Sequence, residues 1–217
     1  MRRLETTLVA VAWAAVVVGL ALAVLTMPAY TSTLVDALDV SVEAGLSEED
    51  VVTLATRVRT FVMDDRAEPL PSEHSGRPAF GSDAVSHLID VRHVIAAARR
   101  AAGAAAAALA VWLAWSVARK RYLALGRALT AGGWLCIAIV GLAGLVGLAD
   151  FGALFEVFHG VFFDPGTWTF PADDLLVQLF PARFWAVSAA LWASAVAVGG
   201  IVSVVSGRRV TGARASS

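Results

Sequence analysis

The 217-residue sequence contains four histidines, and two of them stand where an imidazole is costly. His87 lies in SHLIDVR, three residues before Asp90, so on a helix the carboxylate shares its face and could hold or bias the ring. His159 lies in FEVFHGVFFDPGTWTFP, amid Phe155, Phe158, Phe162, Phe163, Trp168 and Phe170. An imidazole in such a setting suffers desolvation unless it is hydrogen-bonded. The other two histidines have plainer readings. His74, in the Pro-, Gly- and Ser-rich stretch EPLPSEHSGRPAFGS, is expected to be solvated, and His93, beside Arg92 and on a different face from His87, to be a surface or packing residue.

Two histidines can bind a metal or move protons. Zinc would need at least a third protein ligand, and Asp90, Asp164, Asp173 or Asp174 could serve, but no HExxH or CxxC spacing supports it. There is no G-x-S-x-G motif, and the single cysteine, Cys136, sits in an apolar run where it reads as packing. General acid/base work remains, on a substrate that brings its own nucleophile. In an aromatic-lined, lipid-facing pocket that substrate is a lipid or a lipid-bearing protein. Two other classes stay open: a metal-dependent lipid hydrolase, and a non-enzymatic membrane interaction protein whose aromatics form only an interface belt.

The elements that must position these residues follow from composition. With 58% hydrophobic and 16% charged residues, the expected class is an all-α membrane protein with four transmembrane helices and an extracytoplasmic cap. Four stretches approach the ~20 apolar residues that cross a bilayer core: 8–27, 96–117, 129–149 and 185–205. The first is longer than the ~7–15-residue core of a secretory signal and reads as a retained anchor. Arg2 and Arg3 precede it. Arg119, Lys120, Arg121 and Arg127 fall in or beside loop 118–128, and Arg208, Arg209 and Arg214 lie in tail 206–217. By the positive-inside rule both termini and that loop are cytoplasmic.

The remaining segments are expected outside. Pro28 to His93 carries twelve acids against five bases, and Asp150 to Arg183 five acids against one base. Because the bases concentrate on the other side, the net charge of −1 points to no nucleic-acid partner. Arg99 and Arg100, at the outer end of the second span, are expected to snorkel to headgroups. Glycine- and alanine-rich runs, AAGAAAAALAVW and GLAGLVGLA, suggest close helix approach. The tail VTGARASS reads as disordered.

Residues 28–95 have the length of a cap leading into the second span. In LSEEDVVTLATRVRTFVM, Ser47 is a good N-cap, acids fill the first turn, and Val51, Leu54, Val58 and Phe61 recur at helical spacing. Ser82 or Asp83 could cap a helix that carries His87 and runs on into the membrane. Residues 150–184 form an aromatic-rich loop with a short interfacial helix in PADDLLVQLFPARFW, Pro171 near its first turn and Pro181 closing it.

Two motifs add a resemblance. The first, roughly H-x-x-D-V-[KR], is here His87, Asp90, Val91 and Arg92. The second runs F-H-x-x-F-F to a Trp, P-x-x-D-x-L and F-P; it is Phe158, His159, Phe162, Phe163, Trp168, Pro171, Asp174, Leu176, Phe180 and Pro181. With four spans and a cap, the chain resembles the bacterial lipoprotein intramolecular transacylase family. The resemblance implies transfer of the sn-2 acyl chain of a diacylglyceryl-cysteine lipoprotein to the cysteine α-amine, in the bacterial cell membrane and without a cofactor or metal. It implies His87 and His159 as catalytic, Asp90, Trp168 and Asp174 as supporting, and Phe158, Phe162, Phe163 and Arg92 as contacts for acyl chains or headgroup. Membrane lipids would be the other partners.

Overall fold

The computed structural model describes residues 2–212. Along the chain run α1 (Arg2–Leu25), α2 (Pro28–Ala37), α3 (Val40–Ala44), α4 (Glu48–Met63), β1 (Glu73–His74) and β2 (Arg77–Pro78). Then follow α5 (Ser82–Ala118), α6 (Tyr122–Ala149), α7 (Phe151–Phe162), α8 (Leu175–Leu179) and α9 (Ala182–Gly212). Helices α1, α5, α6 and α9 are long and apolar enough to cross a membrane. Each extends beyond its apolar stretch at one end or both, because hydropathy marks the lipid-facing length while flanking Arg and Ala residues are good helix formers; only α1 also stops short, at Leu25 rather than Met27, ahead of Pro28. Thus α9 continues through Val210–Gly212, which the sequence assigns to a disordered tail. Arg214 and the rest of that tail lie outside the described residues. The α5–α6 connection shrinks to residues 119–121, with Lys120 in the left-handed region at φ 56° and Arg121 N–H donating to the Ser116 carbonyl at 2.8 Å.

The described residues fall into two compact units. One, the bundle unit, comprises 2–22, 98–149 and 191–212; the other, the site unit, comprises Ala23–Ala97 and Asp150–Ala190. In the bundle unit a core of Ala14, Ala21, Cys136, Val140 and Val196 is buried, and Cys136 is packing as expected. Close approach comes from different glycines than those the sequence highlights. Gly103, Gly141 and Gly144 face open space, whereas a Cβ on Gly133 would lie 2.5 Å from the Gly200 carbonyl oxygen, and one on Gly126 2.7 Å from that of Gly207. The AAGAAAAALAVW run contributes through Ala102, whose Cβ would sit 2.6 Å from one built on Gly19. Glu5 is held by Arg121 in a two-pronged ion pair at 2.7 and 2.8 Å and by Trp112 Nε1 at 2.9 Å.

In the site unit α4 follows the sequence pattern closely. Ser47 Oγ accepts from Asp50 N–H at 3.1 Å, and Val51, Leu54, Val58 and Phe61 are all buried. They meet Leu34 and Val35 of α2 and Leu175, Leu176 and Leu179 of α8 in one apolar core. Leu54 and Leu179 have no exposed surface. Leu54→Ala should therefore cost about 2–5 kcal/mol, read as an earlier thermal unfolding transition in detergent micelles; an unchanged transition would mean that this core does not carry the unit.

The stretch around His74 is not irregular. It forms the β1–β2 hairpin, turned by Ser75 and Gly76 at φ 52° and 75°, the two positive φ values a tight type I′ turn demands. His74 is likewise not free in solvent, since its Nε2 lies 2.9 Å from Asp50 Oδ1 and ties the hairpin to the start of α4. The Ser47 hydroxyl first, and the His74 ring second, hold the Asp50 carboxyl below the usual range.

Candidate active site

Two helices carry the histidines. Gly81, not Ser82 or Asp83, offers the first carbonyl of α5, accepting from Val85 N–H at 3.0 Å. The sequence places His159 in a loop, but it lies in the last turn of α7. Asp150 caps that helix by accepting from Ala153 N–H at 3.0 Å. The signal was present: Asp150 precedes a run in which Phe151, Phe155, Phe158 and Phe162 recur at helical spacing. One stripe of the run, Gly152, Glu156, His159 and Gly160, is small or polar, so the helical period was there to be read.

The structure brings the two imidazoles together. Their centroids are 6.2 Å apart and their planes 29° from parallel, although 72 residues separate them in the chain. Phe163 stands 4.9 Å from His87 and 5.6 Å from His159, bridging the pair. Phe170 lies 5.6 Å from His87, and Trp168 covers His159 at 4.8 Å. Phe155, which the sequence reading leaves among the general aromatics, stacks on His159 at 3.9 Å.

The bonding of each ring differs. Nδ1 of His159 lies 2.8 Å from the Phe155 carbonyl oxygen. A carbonyl can only accept, so Nδ1 carries the proton and Nε2 keeps its lone pair. Burial pushes the His159 imidazole below the usual histidine pKa, and the bond to the Phe155 carbonyl, which favours the charged ring, offsets this only in part. His87 is 8% exposed, and its Nδ1 is buried without a partner among the described residues. Asp90, one turn on, therefore does not hold that ring by a hydrogen bond at Nδ1, but it does bias it: burial first and the His159 ring second keep the His87 imidazole below the usual histidine pKa, and the Asp90 charge opposes them.

Trp168 Nε1 is a second buried nitrogen without a partner among the described residues. Such orphaned groups are rare in folded proteins. Phe158 and Phe162, 5.0 Å apart, are about half exposed. With exposed Val157 and Val161 they give α7 an apolar outer surface. Arg92 is largely engaged elsewhere: Nε donates to the Phe61 carbonyl at 2.8 Å and the guanidinium sits 4.2 Å over the Phe61 ring, leaving Nη2 buried and unpaired among the described residues. Asp174 caps α8, accepting from Leu176 N–H at 2.8 Å. That helix begins only after a turn at Pro171–Asp174 and is one turn long, so Pro171 precedes it rather than opening it. Among the described residues no three His, Cys, Asp or Glu side chains group to hold a metal ion.

Four membrane-length helices define a multi-pass integral membrane protein, and the paired imidazole under aromatic cover is its candidate site. The chain belongs to the lipoprotein intramolecular transacylase (Lit) family, whose model matches residues 6–185. That family consists of membrane-integral acyltransferases. The fold is shared with the lipoprotein intramolecular transacylase Lit of Bacillus cereus, with a TM-score of 0.86 at 19% identity over 100% of this chain and 99% of that one. Two structures of the same Bacillus cereus protein with a single histidine replaced, by arginine or by alanine, each superpose with a TM-score of 0.78 at 18% identity. They cover 99–100% of this chain and 93–96% of theirs. At these identities the likeness is one of fold. A local match, 38% identical over 42 residues, to an uncharacterised protein of Aquifex aeolicus (strain VF5) covers 19% of each chain.

Proposed function

We propose that the protein moves the sn-2 acyl chain of a diacylglyceryl-cysteine lipoprotein to the cysteine α-amine, with His159 as base and His87 as acid. The observation that carries this reading is the stacked pair, two rings 6.2 Å apart inside an aromatic enclosure. The free amine attacks the ester carbonyl carbon, and His159 Nε2 takes the proton that the nitrogen loses. The C–O bond to glycerol then breaks, and the leaving oxygen receives a proton from His87. One proton leaves the amine and one reaches the alcohol, so the pair is reset when the proton on His159 passes to His87. Trp168 Nε1–H supplies a donor for the oxyanion that forms between these steps. The exposed Phe158 and Phe162 wall holds the acyl chains and brings amine and ester together, an advantage worth on the order of 7–11 kcal/mol in well-oriented intramolecular reactions.

The site is extracytoplasmic and the membrane is the bacterial cell membrane, a placement supported by the Arg-rich flanks of the spans and the acidic character of 28–93 and 150–183. Mass spectrometry of the N-terminal peptide of a co-expressed lipoprotein tests the reaction, since only this shift yields an N-acylated lyso form. An unchanged diacylglyceryl peptide would end the proposal.

Two groups set the acid side of the pH dependence. The substrate α-amine attacks only when free, so the rate should fall about tenfold per pH unit below its pKa of about 8. A base works only when neutral, and burial keeps His159 neutral to below the usual histidine value, so a second, steeper fall should begin only below about 6.5. A pH–rate profile of purified protein in lipid vesicles checks this; a second break above about 6.5 would contradict the burial of the ring.

A further inference from the structure

A diacylglyceryl cysteine that reaches His87 and His159 brings a polypeptide with it, because its carbonyl continues into the lipoprotein. That polar chain is poorly matched to the aromatic wall that suits the acyl tails. The site unit has a second recess of the opposite character. A cleft of about 420 Å³ opens between the start of α5 and residues 166–174, within the ~300–1,000 Å³ of ordinary ligand sites. Ser82, Asp83 and Ser86 line one side; Thr167, Thr169 and Asp174 line the other.

The cleft shares its walls with the imidazole pair. Ser86 is the residue before His87. Thr167 and Thr169 flank Trp168, whose ring is 4.8 Å from His159. Phe170 lines the cleft while its ring is 5.6 Å from His87. Two short stretches of backbone thus present rings to the pair and hydroxyls and carboxylates to the cleft. Asp83 Oδ1 accepts from Ser82 Oγ at 3.2 Å and Asp174 Oδ1 from Leu176 N–H at 2.8 Å, which leaves the second oxygen of each carboxylate for a guest.

Resting on the transacylase reading above, we propose that this cleft seats the lipoprotein residues directly after the acylated cysteine, and that Asp83 and Asp174 make it favour neutral or basic residues there over acidic ones. The hydroxyls and carboxylates accept from peptide N–H groups. The α-amine itself is not the group held, because a carboxylate beside it would favour the ammonium form, and only the free amine attacks.

The test co-expresses the full-length protein with one reporter lipoprotein carrying two serines, two lysines or two aspartates directly after the cysteine. Mass spectrometry at early times reads the N-acylated share of the signal-processed peptide. Serine and lysine forms should convert at comparable rates and the aspartate form about tenfold more slowly, the scale of a like-charge contact weakened by salt. Asp83→Lys should reverse the order of the lysine and aspartate forms. Equal rates for all three tails in the wild-type protein would overturn the cleft assignment and leave the transacylase reading standing, and so would an Asp83→Lys variant with the wild-type ratio. No N-acylation from any form would overturn both.

Discussion

With His87→Ala or His159→Ala, the N-terminal cysteine of a co-expressed lipoprotein should keep its free amine and both glyceryl esters, while the variant still inserts and folds. Each loss should slow the shift by about 10²–10⁴-fold, the usual contribution of a positioned acid or base. The two should not add in the double variant, because one proton route needs both rings. The effect is expected to be this large because neither ring has a neighbour to replace it. His159 is fixed by Phe155 so that Nε2 is the free base, and aromatic rings contact both imidazoles, His87 being buried and His159 partly so. Trp168→Phe keeps the cover and removes one N–H, so a loss of about 10²–10³-fold would mark that proton as the oxyanion donor. Normal lyso-lipoprotein from either histidine variant would refute the site.

The second large effect is expected where α6 meets α9. Gly133 and Gly200 face each other so closely that a Cβ on the first would lie 2.5 Å, and on the second 2.9 Å, from the other's carbonyl oxygen. The obstacle in each case is backbone, so the helices themselves must separate. Gly207 is equally confined, by Thr130 and the Gly126 carbonyl. Gly133→Val or Gly200→Val should lose about 1–3 kcal/mol from overpacking alone, and more where the lost contacts between helices are not regained. Gly141→Val and Gly144→Val, with open space around each Cβ position, are the controls. Thermal unfolding of purified variants reads the difference. Equal melting temperatures for the two pairs would mean that the close approach does not hold the bundle unit together.

Much of this was legible in the chain wherever the signal is local. The register of α4 could be read because one face is apolar, the other charged, and a serine with following acids marks the start; Val51, Leu54, Val58 and Phe61 then had to turn inward. The four spans were legible because ~20 apolar residues have few alternatives to crossing a bilayer. Helix α7 was not read, although it carries His159 and one stripe of it, Gly152, Glu156, His159 and Gly160, is small or polar, because twelve residues are too few for a span and their aromatics suit an interface belt as well as a helix. The hairpin at His74 was hidden for another reason. Ser75 and Gly76 form a common turn, but the strands it joins are two residues each and carry no alternation to betray them.

By itself, the sequence determined which side chains could do chemistry and in what environment. Two of its four histidines stand among motifs and aromatics that set them apart, and charge divides the polar segments into two classes. Tertiary structure alone decided which groups meet. His87 and His159 are 72 residues apart, and their stacking depends on how α5 and α7 pack, a sum of many weak contacts that no single stretch encodes. The same holds for the glycines. Small residues recur through the spans, and only the rotation of each helix about its axis determines that Gly133 and Gly200 touch while Gly141 and Gly144 do not. Spacing likewise placed Asp90 near His87, but a hydrogen bond needs a rotamer and a direction as well as a shared face, and the fold leaves His87 Nδ1 open.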